Sequence, residues 1–116
     1  VGGKIFLILE YSYKKECVFM DSSDSVAYLE GIEQALEKSA EKFSNTTYSI
    51  DFSHVDHHLL EDKTISAFTS RIIVDGYEYG AGIPVNIATK VTFDEIAAYL
   101  IGRGVEQYLC QMSNDR

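Results

Sequence analysis

Ten residues from Ile65 to Val74, dense in β-branched side chains, run into Asp75-Gly76, after which Tyr77 to Gly82 resumes the extended pattern. Asp-Gly suits a two-residue type I′ turn, which needs positive φ at both central positions and matches the right-handed twist of paired strands. The segment therefore predicts a β-hairpin, ended by Pro84 and Asn86. An isolated hairpin is marginal in water, so any fold open to this chain must cover one face of that ribbon.

Two helical patterns can supply the cover. From Asp24, taken as the N-cap, Leu29, Ile32, Leu36, Ala40 and Phe43 recur at helical spacing until the polar run Ser44-Asn45-Thr46-Thr47. Thr92-Phe93-Asp94-Glu95 has the form of a capping box and opens a helix through Phe93, Ile96, Ala97, Leu100 and Ile101. Gly102-Arg103-Gly104 follows, and each glycine costs about 1 kcal/mol in a helix interior relative to Ala. The helix either breaks there or continues because a neighbour packs closely. Val105, Leu109 and Met112 keep the apolar stripe going and favour continuation, with a kink allowed.

The remaining runs are extended. Lys4 to Tyr13 and Cys17 to Met20 flank the charged turn Lys14-Lys15-Glu16 and read as an opening hairpin. Tyr48 to Val55 sets Tyr48, Ile50 and Phe52 against Ser49, Asp51 and Ser53, a half-buried strand, and polar His54 to Lys63 reads as a loop. The order is β-β-α-β-β-β-α. That predicts the α+β class, a mainly antiparallel sheet with two principal helices packed on one face. The 116 residues suit one compact domain over 1–116, with no repeat and no Pro-rich linker.

Charge narrows the partners. Residues 1 to 58 hold five Lys/Arg against ten Asp/Glu and residues 59 to 116 hold five against eight, so the halves carry −5 and −3 of the net −8. A field of one sign along the whole chain repels phosphate backbones and attracts basic surfaces, including those of nucleic-acid enzymes. Direct nucleic-acid binding is disfavoured. The apolar run Ile5 to Leu9 is far shorter than the roughly 20 residues of a membrane span, which points to a cytoplasmic protein with no membrane partner.

The familiar chemical motifs are missing. Cys17 and Cys110 stand far apart without C-x-x-C spacing and are expected as buried thiols. His54, His57 and His58 lie near Asp51 and Asp56, but H-x-x-H-H is not the helical ligand pair of a zinc hydrolase, so neither a metal nor another cofactor is expected. Gly76, Gly80 and Gly82 fall in a hairpin instead of opening a helix, so turn and bulge roles replace a phosphate cradle. No Ser or Cys nucleophile is tied to a histidine by a recognisable pattern, and catalytic residues are not assigned.

Two surface features remain. Glu30, Glu33, Glu37 and Glu41 fall within roughly 80° of arc on a helix, an acidic rail whose like charges cost a few tenths of a kcal/mol per pair. On the same wheel the apolar stripe lies at roughly 200 to 280°, the glutamates at roughly 300 to 20°, and Lys38 and Lys42 near 80 to 120°. The lysines cannot neutralise the rail. Tyr11 with Tyr13, and Tyr77 with Tyr79, occupy alternate positions and so share a strand face, where aromatic rings could anchor a protein partner.

From Ala35 to Leu109 a helix, a strand, the hairpin F-T-S-R-I-I-V-D-G-Y-E-Y-G-A-G and a closing helix resemble the α-β-β-β-α order of the double-stranded RNA-binding domain. The resemblance implies a basic cluster at the start of the last helix that grips phosphates. Asn86 to Glu95 offers only Lys90, followed by Asp94 and Glu95, so it implies a degenerate copy that binds protein.

The expected function is that of a small acidic non-catalytic binding protein. It would block a basic protein surface, as inhibitors, immunity proteins and DNA-mimicking phage anti-defence proteins (anti-CRISPR or anti-restriction) do, through Glu30, Glu33, Glu37, Glu41, Tyr77 and Tyr79. The alternatives are a degenerate double-stranded RNA-binding-type adaptor, or a nucleotide or small-molecule domain with Arg71 and Arg103 as cationic contacts. Edge strands and the Gly102-Arg103-Gly104 segment are each compatible with a homodimer.

Overall fold

The computed structural model describes residues 20–44 and 47–114. The elements are α1 (Ser22–Phe43), β1 (Ile50–Phe52), β2 (Asp56–Leu59), β3 (Ile65–Val74), β4 (Tyr77–Pro84), α2 (Val85–Ala88) and α3 (Phe93–Asn114). The class is α+β, with an antiparallel four-stranded sheet and two long helices. The expected opening hairpin lies outside the described residues except for Met20, which bridges to Ile65.

The sheet is organised by β3. β4 pairs with it from Ala67↔Pro84 to Val74↔Tyr77 without a register break, so Gly80 and Gly82 are not bulges as expected. Asp75 and Gly76 have φ of 50° and 89°, the left-handed pair that a type I′ turn demands. The other edge of β3 is shared by β1 and β2, which pair with its two halves. Between them Ser53 donates its N–H to the Arg71 carbonyl at 2.9 Å, and the buried Ser70 hydroxyl donates to the Ser53 carbonyl at 3.1 Å. The hydroxyl thus satisfies a carbonyl that leaves the ladder where the strand breaks.

Two extended segments therefore differ from expectation. The strand over Tyr48 to Val55 shrinks to Ile50–Phe52, and the loop over His54 to Lys63 contains β2. The inward position on β2 is a histidine, which hides the apolar alternation. His57 Nδ1 lies 3.1 Å from the hydroxyl of Ser25, a fully buried residue of α1. A polar pair takes the place of the apolar contact that would have marked the strand.

Phe68, Ile72 and Val74 point from β3 into the core with Ile83, Ile32, Leu36, Ile96 and Leu100. Both helices lie on that face. α1 starts earlier than expected, because Asp21, not Asp24, accepts the Asp24 N–H at 2.9 Å as the N-cap. Four consecutive capping-type residues, Asp21 to Asp24, made the start ambiguous. Its end is fixed by Ser44, whose hydroxyl donates to the Ile50 carbonyl at 2.9 Å and accepts the Ile50 N–H at 3.1 Å.

α3 is continuous through both glycines. A Cβ at Gly104 would stand 2.5 Å from the Ile72 side chain, so this glycine allows the helix to lie on the centre of β3. Phe93 covers Gly31 of α1 and meets the Tyr28 ring edge-on at 5.3 Å, while Phe43 flanks Ala98 and Gly102 further along. Contacts advance together, so the helices run side by side in the same direction. Phe43, expected in the core, is 41% exposed because it is the last residue of α1, where the helix outruns its cover. Ala35 is buried instead, on the flank that α3 closes.

Candidate protein-binding surface

The four rail glutamates are exposed, and among the described residues none is engaged in an ion pair. Their direction follows from two anchors on α1. The Gly31 contact with Phe93 puts α3 near 100° on the wheel, and the Ser25 contact with His57 puts β2 near 220°. The glutamates, at roughly 300 to 20°, therefore lie on the flank turned away from α3, beyond the β1–β2 edge. Lys38 and Lys42 take the opposite flank, where they line grooves with Asp94 of α3.

The acids of the neighbouring sheet edge, on β1 and β2, face away from the rail. α1 packs along β1. Exposed Asp51 on β1 and Asp56 on β2 each accept the N–H of the following residue at 2.8 Å, from Phe52 and His57 respectively. Asp51 pairs with Ile73 and Asp56 with Thr69, so both carboxylates point to the sheet face turned away from α1 and do not join the rail.

Tyr77 and Tyr79 share a strand face, as their spacing requires, and it is the face toward the helices. Their rings stand 6.0 and 6.3 Å from the Tyr108 ring of α3, which also takes Tyr48 edge-on at 5.8 Å. Tyr79 donates its hydroxyl to Gln111 Oε1 at 2.5 Å and is partly buried, whereas Tyr77 remains 49% exposed. Tyr108 in turn donates to Asp75 Oδ2 at 2.9 Å, and the Ser49 N–H donates to Asp75 Oδ1 at 2.8 Å. The Ser49 N–H, then the Tyr108 hydroxyl, hold the Asp75 carboxyl below its ordinary pKa. The same bond to Asp75 raises the Tyr108 phenol. The tyrosines thus lock the hairpin tip to α3, and Tyr77 is the one with area left for a partner.

The opposite face of the sheet carries Thr69, Arg71, Ile73, Glu78 and the two hairpin glycines. An open cleft of about 660 Å³ lies there, bordered by Ser53, His54, Asp56, Arg71 and Glu78. Arg71 pairs with Glu78 at 3.8 Å. It is on the far side of the sheet from Tyr77 and Tyr79, so the tyrosine–arginine pocket of the ligand-binding alternative does not assemble. Arg103 pairs with Glu106 on α3 at 3.3 Å.

The histidines do not converge either, since His57 and His58 project to opposite faces of β2. No group of three metal-ligating side chains occurs among the described residues. Cys110, expected to be buried, is exposed because it lies on the outer face of α3, away from the sheet. Cys17, Tyr11 and Tyr13 lie outside the described residues. Among the described residues no helix is long and apolar enough to cross a membrane. No family model, curated protein or solved structure matches this chain.

Proposed function

We infer that this chain is a small acidic binding protein that occupies a basic protein surface, in the manner of an inhibitor, immunity protein or phage anti-defence protein that mimics DNA. The observation that carries this reading is the flank of α1. Four exposed carboxylates stand there without ion pairs among the described residues, and both lysines of the helix are turned away. Such an array places negative charge where a nucleic-acid enzyme expects phosphates, and association driven by it is fast and salt-sensitive. Tyr77, half exposed at the hairpin tip, offers a separate aromatic anchor. The test is affinity capture from the host or its opponent at low and high salt. Recovery of a basic protein that salt releases supports the reading, and recovery of RNA opposes it.

A second reading, a degenerate double-stranded RNA-binding-type adaptor, draws support from the succession of α1, the strands and α3, with both helices on one sheet face. Against RNA itself stands the acidic start of α3, where Asp94 and Glu95 follow Lys90. A gel-shift titration with duplex RNA separates the two readings.

A further inference from the structure

We propose that the outer edge of β4 receives an extended segment of another protein as an added antiparallel strand, with aromatic side chains laid over Gly80 and Gly82. The Ser53 N–H donates to the Arg71 carbonyl and the Asp75 N–H to the Ser49 carbonyl, so the odd residues of β3 bond toward β1 and β2 and the even ones toward β4. Phe68, Ser70, Ile72 and Val74 are therefore the hydrogen-bonded partners of Ile83, Ala81, Tyr79 and Tyr77. The N–H and C=O groups of Glu78, Gly80 and Gly82, which alternate with these, point out of the sheet. All three residues are exposed. Among the described residues these groups meet one partner, the side-chain amide of Gln107 on α3, which donates to the Gly80 carbonyl at 2.9 Å.

A row of donors and acceptors at strand spacing is the complement of another strand, and sheets that avoid such pairing guard their edges with bulges, lysines or prolines. The edge formed by β1 and β2 is interrupted between Phe52 and Asp56. β4 pairs over eight residues without a bulge, contains no lysine, and has its proline only at the last position. Gln107 covers a single carbonyl, and its long side chain can swing aside.

The two glycines select the partner's side chains. Residues hydrogen-bonded opposite Gly80 and Gly82 would share their sheet face, the one turned away from the helices. A Cβ at Gly80 would meet nothing within 4 Å, and both glycines line the open cleft of about 660 Å³ whose border includes Arg71, the direct neighbour of Gly80 on β3. Aromatic rings two residues apart fill such a glycine floor by packing on its backbone, with the 70% exposed Arg71 side chain at their rim. β4 of a second copy does not fit, because apart from its glycines it presents only Glu78 and Pro84 on this face. The edge lies across the sheet from the rail, so it stands or falls independently of the proposed function.

The test is titration of the isotope-labelled full chain with a short capped peptide of alternating threonine and tyrosine, followed by amide chemical shifts. The peptide should shift Glu78, Gly80 and Gly82. N-methylation of its tyrosines removes the donors to the two glycine carbonyls and should weaken binding at least about tenfold, as should alanine in place of tyrosine. Gly80→Val fills the open floor with a strand-favouring side chain, so it should raise the melting temperature and weaken the peptide by a similar factor. Gln107→Ala uncovers the Gly80 carbonyl and should bind the peptide at least as well as the native chain. Absence of shifts along β4 in both the native chain and Gln107→Ala, whether or not residues 1–19 hold the edge, overturns the proposal. So does binding that is indifferent to N-methylation or to Gly80→Val.

Discussion

Gly102 and Gly104 are two residues apart in one helix and do opposite things. A methyl group at Gly104 would have to displace Ile72, a fully buried, β-branched side chain on the central strand. Overpacking of that kind costs about 1 to 3 kcal/mol, against about 1 kcal/mol gained from helix propensity. Gly104→Ala should therefore destabilise the fold, whereas Gly102→Ala, facing open space, should stabilise it by up to about 1 kcal/mol. Urea titration of the two variants checks the sign of each. Asp75 makes the second prediction at this scale. Its folded-state pKa is depressed by the Ser49 N–H and the Tyr108 hydroxyl. The stability it contributes is thus present above the unfolded value of about 3.9 and is lost as pH falls through the lower folded value. Asp21 and Asp62, lowered by their own local hydrogen bonds, act in the same direction. Asp75→Asn keeps an acceptor for Ser49 and suits the turn, so thermal melts between neutral pH and about pH 3 should show a shallower acid loss than in the native chain.

At the scale of elements, those whose geometry is dictated by short-range chemistry were legible. The Asp75-Gly76 hairpin and the Thr92 capping box appear as read. In the box, Thr92 N–H donates to Glu95 Oε1 and Glu95 N–H donates to Thr92 Oγ1, both at 3.1 Å. Glu95→Ala removes one half of this exchange and Thr92→Ala the other, and each should cost about 0.5 to 2 kcal/mol by thermal or urea unfolding. β2 was not legible. Its inward residue, His57, is satisfied by a serine 32 positions away, and no local pattern encodes that partnership. The break at Ser53 depends in the same way on Ser70, across the sheet. The rail was legible as a periodicity, and its four positions were correctly read as lying clear of Lys38 and Lys42. That Asp51 and Asp56 face away from it follows from strand pairing, which is a property of the sheet.

Across the whole molecule, charge is sorted by direction. The flank of α1 beyond the β1–β2 edge is acidic, while the border between α1 and α3 mixes Lys38 and Lys42 with Asp94. The rail works slightly against its own helix, because Glu33 and Glu37, and Glu37 and Glu41, are like charges at i,i+4. Glu33→Lys with Glu37→Lys should therefore leave the melting temperature unchanged or slightly raised, and any loss of binding then belongs to the surface and not to the fold. Overall charge has to be separated from its placement. Glu61→Lys with Glu78→Lys makes the same change in net charge at exposed positions away from the rail. The decisive measurement is quantitative affinity capture at low salt with the native chain and these two double variants, scoring each basic protein retained. The account predicts that the rail reversal loses the partner by at least about tenfold while the matched control keeps it. Equal retention by all three, or equal loss from both variants, would contradict a binding surface on α1.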